Sequence, residues 1–309
     1  MSFTIQKSVY SILTLLLVGI VGYVPFYGML ALLFIPFPLM LIRMSSKRRD
    51  GMIYLLILSL LTIVIAPLQL GMTSIAFMAM GYMIGENTLY RKSKLAVWNA
   101  ASITLLVALV LQYVLSVLVL HVNAIEWVQD FLHTQERRII QLFAPLDETG
   151  TMEQAIQSVF LMYNFSLPTY AIVAIVILAF LSLNIAYFFG KKAVFGFVFP
   201  RFQPFSSMKL PMITVVLYGI LLLMSFLQSS DLGSSSHLMI LNAMNIFRIL
   251  FLLQGISFIV YALKKVQLPM ILIVLSGMVA VFFNSITVII GILDTGIQLR
   301  SWVDRKIGK

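Results

Sequence analysis

Cysteine is absent from all 309 residues. That excludes disulfides, thiolate metal sites and cysteine nucleophiles. Charge is also scarce: Asp, Glu, Lys and Arg make up 10% of the chain, against about 25% in soluble domains. Acids are the rarer sign, 11 against 21 bases. The three histidines, His121, His133 and His237, match no compact metal motif. No metal and no other cofactor is therefore expected. No glycine-rich phosphate loop and no Ser/His/Asp arrangement stands out, so the chain is not expected to be an enzyme.

Apolar residues fill the space that charge leaves. They make up 61% of the chain, and the mean hydropathy is +1.03. A soluble fold of this length could not cover so much apolar surface. A helix needs about 20 apolar residues to cross a bilayer. The apolar runs fall at about 9–23, 26–42, 52–69, 71–90, 95–121, 158–189, 211–227, 237–263 and 268–293. The expected fold is all-α, a polytopic transmembrane helix bundle of about nine spans, within a range of eight to ten. Met1 to Lys7 lead into the first run with no cleavage site, so an uncleaved first span is expected.

The net charge of +10 sits in short loops. Arg43 to Arg49, Arg91 to Lys94, the 190–210 loop and Lys264/Lys265 alternate with the acidic segment 122–157 and with the 228–236 loop carrying Asp231. The positive-inside rule accounts for that pattern and places Lys7 inside. The bilayer is the expected partner. No nucleic-acid interface is expected, because no basic stripe alternates with exposed aromatics. The C-terminus conflicts with nine full crossings. It carries Arg300, Arg305, Lys306 and Lys309 yet would lie outside. A re-entrant turn near Asn284 would return it inside; otherwise the rule is broken at this last loop, which later loops tolerate.

The segment 122–157 holds six acids: Glu126, Asp130, Glu136, Asp147, Glu148 and Glu153. Apolar residues recur there every three or four positions, from Ile125 to Phe143, which predicts an amphipathic helix on the membrane surface. Thr151-Met152-Glu153-Gln154 matches a capping box at the start of a helix that runs into the next span, kinked at Pro168. Two regions are expected: 1–190, with the outer segment 122–157, and 191–309.

Within the spans, Arg248 is the residue of greatest interest. A charge at mid-span costs at least about 2.5–3.5 kcal/mol and should face the interior or a wet cavity. Asn245 and Asn242 precede it at three-residue steps, so a polar or anionic ligand site on Arg248, Asn245 and Asn242 is one expectation. Interhelical hydrogen bonding is the other. Asp294 is a possible charge partner for Arg248, and depth disfavours Glu86. Gly255 would permit close approach by a neighbouring helix. Gln112, Asn164, Asn184, Gln254 and Asn284 read as interhelical contacts.

Several segments carry a family likeness: Ile35-Pro36-Phe37-Pro38, Pro204-Phe205, Leu210-Pro211, Leu241-Asn242, Phe251 to Gly255, and Gly291-Ile292-Leu293-Asp294 leading to Leu299-Arg300. With them the chain resembles the YybS-type family of bacterial multi-pass membrane proteins, over nearly its whole length. The resemblance implies the bacterial plasma membrane. It also implies a distant similarity of the N-terminal part to the substrate-binding S components of energy-coupling-factor transporters. On that basis the partner would be a transmembrane coupling protein with ATPase subunits. Two functions are therefore expected in order: a transporter or substrate-binding membrane subunit for a small polar solute, and a non-transport membrane scaffold or regulator acting through its loops.

Overall fold

The computed structural model describes residues 3–146, 150–194, 197–227 and 234–307. Asp147, Glu148, Asp231 and Lys309 lie outside the described residues. Fourteen α-helices and two short 3-10 turns make up the described secondary structure, with no strand among the described residues. Two compact units divide the chain. One comprises Met1–Phe131 with Ala171–Phe202, the other Leu132–Tyr170 with Gln203–Lys309. The boundary thus differs from a cut near 190, because residues 132–170 group with the C-terminal part.

The first unit contains α1 (Phe3–Tyr23), α2 (Tyr27–Leu32), α3 (Pro36–Met44), α4 (Arg48–Ile65), α5 (Leu68–Leu89) and α6 (Lys94–Leu120). It also holds the first turns of α7 (Ala124–Phe143) and most of α9 (Leu167–Ala193). Helices α2 and α3 share one apolar segment. Pro36 and Pro38 lack N–H donors, and the chain before them tightens into i→i−3 bonds, Leu33 N to Leu30 O at 3.1 Å and Phe34 N to Ala31 O at 3.0 Å. Helix α3 is the most enclosed, with Pro36, Pro38 and Leu39 to Arg43 all buried. It lies on Gly81 and Gly85 of α5, one turn apart. A Cβ at Gly81 would stand 2.6 Å from the Pro36 carbonyl oxygen, and one at Gly85 2.8 Å from that of Met40. Only hydrogen fits there. The core around this seat is Ile35, Met40, Met78, Met80 and Ile84, all with no exposed surface.

The second unit contains the rest of α7, then α8 (Thr151–Phe165), the start of α9, α10 (Ile213–Leu227), α11 (Ser235–Lys265), α12 (Met270–Phe282), α13 (Asn284–Ile297) and α14 (Leu299–Ile307). Helix α7 is the expected amphipathic helix, and no residue of it is buried. The capping box is corrected. Helix α8 does begin at Thr151, but its N-cap is Gly150 at φ 70°, and no side chain caps it. Thr151 is already helical, one position too late for its hydroxyl to act as the cap. The kink expected at Pro168 is a break at Ser166, between α8 and α9.

Six helical segments are long and apolar enough to cross a membrane: Ile5–Tyr23, Tyr27–Met44, Leu68–Leu89, Lys94–Leu120, Leu167–Ala193 and Ser235–Lys265. The α12–α13 pair makes a seventh if counted as one, and it bends by 106°. Helix α4 adds an apolar run behind Arg48, Arg49 and Asp50, and α10 adds a run of 15 residues. These are the nine apolar segments of the sequence. The last is broken at Phe283–Asn284, where a re-entrant turn is expected. Asp304 of α14 lies 2.8 Å from Lys265 Nζ at the end of α11. The chain therefore leaves the α12–α13 pair at the end of α11 where it entered. The basic C-terminal helix shares that end with Lys265, so its charge agrees with the alternation of the loops.

Candidate functional site

The sequence-expected ligand site does not assemble. Arg248 projects from α11 as an exposed residue, with no hydrogen bond or ion pair to a described residue. Every other position from Leu241 to Leu250 is half-buried. Asn242 and Asn245 point elsewhere, to the α8–α9 break. Asn242 Nδ2 donates to Phe165 O and Leu238 O, both at 2.8 Å. Asn242 Oδ1 accepts from Thr169 N at 3.1 Å and Thr169 Oγ1 at 2.7 Å. Asn245 Nδ2 donates to Ser166 Oγ at 3.1 Å. Asn242 thus satisfies Phe165 O and Thr169 N at the helix break beside Pro168, and Asn245 holds the Ser166 hydroxyl there. Of the two expectations, hydrogen bonding between helices is the one these contacts show.

Asp294 is paired, though not with Arg248. Its Oδ2 accepts from Arg300 Nε at 3.0 Å and from Gln254 Nε2 at 2.6 Å. Arg300 spends its other nitrogens on Ser206 O at 2.6 Å and Ser257 Oγ at 3.0 Å. Ser257 Oγ donates in turn to Phe205 O at 2.7 Å, and Gln254 Oε1 accepts from Leu210 N at 3.2 Å. Arg300, Asp294, Gln254 and Ser257 are 4%, 5%, 1% and 0% exposed. Three separate stretches of chain therefore meet on one buried ion pair: the 205–210 loop, α11, and α13 with α14.

Backbone geometry makes the meeting possible. A Cβ on Gly255 would lie 2.1 Å from Thr287 O, and one on Gly291 would lie 1.9 Å from Phe251 O. Helices α11 and α13 thus touch backbone to backbone where both sequences offer glycine, the close approach expected of Gly255. At Gln298 the chain turns through a left-handed residue, φ 52°. That turn brings Arg300 back onto the carboxylate six residues earlier. Below it, Arg300 lies over the Tyr261 ring at 5.2 Å, and Tyr261 OH donates to Asp304 Oδ1 at 2.5 Å. The hydrogen bond from Lys265, and then that from Tyr261, hold the Asp304 carboxyl below the usual carboxylate range.

This junction is saturated. Its charges are matched and its donors are committed, so it acts as a lock on a broken helix rather than as an open ligand site. No periodicity marks Arg300 in the sequence, because none crosses the turn at Gln298, and Ser257 is a single hydroxyl within the long helix α11. The segments that carried the family likeness could have pointed there, since Phe205, Leu210, Gln254, Gly255, Gly291, Asp294 and Arg300 all belong to them.

The first unit holds a second buried ion pair. Arg43 Nε donates to Glu86 Oε2, and its Nη1 donates to Ser46 O at 2.8 Å. Arg48 reaches the other Glu86 oxygen at 3.5 Å. Glu86 is thus a paired residue of the α3–α5 contact, as its depth near a basic loop suggests. Among the described residues, no group of three His, Cys, Asp or Glu could hold a metal ion.

Comparison with known proteins places the chain. Residues 12–295 match the family described as "Predicted membrane protein (DUF2232)". The chain is 29% identical to the uncharacterized protein YybS of Bacillus subtilis (strain 168). That alignment covers 96% of this chain and 95% of the relative. No solved structure matches it. The chain belongs to the DUF2232 family of predicted membrane proteins.

Proposed function

We propose that this member of the DUF2232 family handles a small polar solute, as a transporter or as the substrate-binding subunit of one, in a bacterial plasma membrane. The observation that carries the reading is the broken α12–α13 pair, bent by 106°. Helix ends inside an apolar layer expose backbone groups that lipid cannot satisfy. Such breaks are tolerated where they line protein or a wet cavity, and they recur where transporters hold their substrates. Here the break is anchored by the Gly255/Gly291 contact and by the Asp294–Arg300 pair.

Coupling to a transmembrane protein with ATPase subunits, as in energy-coupling-factor systems, is the partner this reading favours, since no phosphate-binding loop lies in the chain itself. The test has two arms. Purified protein is screened for thermal stabilisation by vitamins, nucleosides, amino acids and amines, because a ligand of the folded state raises its stability by mass action. The same solutes are followed for uptake in cells with and without the gene. Saturable stabilisation together with gene-dependent uptake is the expected result. Absence of both across the panel, with unrelated proteins recovered in a pull-down, replaces this reading by that of a scaffold.

A further inference from the structure

Arg248 stands thirteen residues after Ser235, the start of α11, and nine before Ser257, where the buried lock begins. At about 1.5 Å per residue these are about 20 Å and about 14 Å, together close to the thickness of a hydrocarbon core, about 30 Å. The guanidinium is thus near mid-depth, exposed, and without a hydrogen bond or ion pair to a described residue. Arg248 shares a stripe of α11 with Gly255, seven residues on. Helix α13 covers that stripe at Gly255, where a Cβ on Gly291 would stand 3.0 Å from Gly255 N. The two helices run the same way, since Thr287 meets Gly255 and, further on, Asp304 meets Lys265. Asn284, seven residues before Gly291, therefore falls level with Arg248, seven before Gly255. The cover that α13 gives ends there, because α13 starts at Asn284. The break is open as well: Asn284 and Ser285 are exposed, beside Phe282 at 88% and Phe283 at 60%.

A lone cation and a bare helix break are both costly in lipid. Whatever covers them has to carry negative charge and has to bring it to mid-depth. A second copy of this chain offers no such group. Of its eleven acids, only Glu86 lies in an apolar run and Asp294 at the edge of one, and both are paired, with Arg43 and Arg300. A phospholipid phosphate lies beyond the edge of the core, about 15 Å from mid-depth. A small solute needs enclosing walls, whereas Arg248, Asn284 and Ser285 are all exposed. A helix of another protein supplies both requirements at once, an acid at its own mid-span and an apolar face to lie against Phe282 and Phe283.

We infer that α11 and the tip of the α12–α13 pair form a docking face for a transmembrane helix of a different protein, whose mid-span Asp or Glu pairs with Arg248. The inference goes beyond solute handling and holds for a scaffold as for a transporter. The probe is a synthetic transmembrane helix of about 24 Leu and Ala residues with one central Glu, which lies at mid-depth in either orientation. Its counterpart carries Leu there. The cysteine-free chain, labelled at Ser301→Cys, is reconstituted with each labelled peptide in phosphatidylcholine vesicles, and association is read by energy transfer. The Glu peptide should associate at least about tenfold more tightly than the Leu peptide, the scale of a close charge pair. Arg248→Leu should abolish that preference while keeping the parent's thermal unfolding, because the side chain is exposed. Arg248→Glu should reverse it, preferring a peptide with central Lys. Equal association of the Glu and Leu peptides overturns the inference, and that comparison uses no variant at Arg248. A preference that survives Arg248→Leu overturns it too. So does loss of the preference when phosphatidylglycerol is added, for then a lipid phosphate holds the guanidinium. Energy transfer between two copies of the chain that disappears in Arg248→Leu assigns the face to self-association and overturns it likewise. None of these measurements involves uptake, so their failure leaves the solute reading standing, and the reverse holds.

Discussion

Replacing Gly291 by alanine should be among the most damaging single-methyl additions in the second unit. The added Cβ would stand 1.9 Å from Phe251 O, 2.8 Å from Phe251 C and 3.0 Å from Gly255 N. All three are backbone atoms, so no side chain can swing aside. Since real Cβ contacts essentially never fall under 3.0 Å, α13 must retreat from α11 by roughly 1 Å, and overpacking of that kind costs about 1–3 kcal/mol. The retreat also stretches the 2.6 Å bond from Gln254 to Asp294. If the buried pair opens, a further cost of about 3–5 kcal/mol applies, because a charge is then left without its partner. Gly296 lies in the same helix, with nothing within 4 Å of its added Cβ. Alanine there should be neutral or slightly stabilising, since glycine is the poorer helix former by about 0.5–1 kcal/mol. The assay is thermal unfolding of the two purified variants beside the parent in one detergent. A loss of several degrees for Gly291→Ala and none for Gly296→Ala is expected. Equal midpoints for the two variants would refute the backbone contact between α11 and α13.

Two further outcomes follow from the same junction. Asp294→Leu and Arg300→Leu should each destabilise by about 3–5 kcal/mol, and the double variant by less than either, because it leaves no lone buried charge; strictly additive losses in thermal unfolding would contradict this. Because the chain has no cysteine, single cysteines report sidedness cleanly. Ser301→Cys and Lys264→Cys should label with an impermeant maleimide from one side of the membrane and Gln141→Cys from the other. Labelling of Ser301→Cys together with Gln141→Cys would mean that α12–α13 crosses the bilayer instead of turning back.

The nine apolar segments were legible because hydropathy over a span is a sum over many residues, and a sum tolerates local exceptions. The turn near Asn284 was legible for another reason. The cationic C-terminus sits poorly with nine full crossings, and the helix pair is bent by 106° at Phe283–Asn284, where a turn back would relieve the conflict. Gly255 announced its close contact because a glycine in a long apolar helix has few other uses. What stayed hidden depends on the azimuth of single residues. Arg248 looked like an inward charge, yet it occupies the open stripe of α11. Arg300 looked like one more loop cation, yet the left-handed residue Gln298 folds it back onto Asp294. Glu86 was set aside on depth, and depth is what lets Arg43 and Arg48 reach it. The Thr151 cap failed by a single position, a distance below the resolution of any pattern.

The order in which the lock's parts leave the ribosome has a consequence for biogenesis. Gln254 and Ser257 are synthesised some 40 residues before Asp294, and Arg300 comes six residues after it. A carboxylate entering hydrocarbon ahead of its cation bears the full penalty of an unpaired charge. Nascent α13 therefore has reason to wait at the interface, with Gln254 as its first available donor, until Arg300 emerges and the two side chains can be drawn in together. Burial of Asp294 then has to follow the synthesis of Arg300, and chains truncated between the two should leave α13 outside the hydrocarbon.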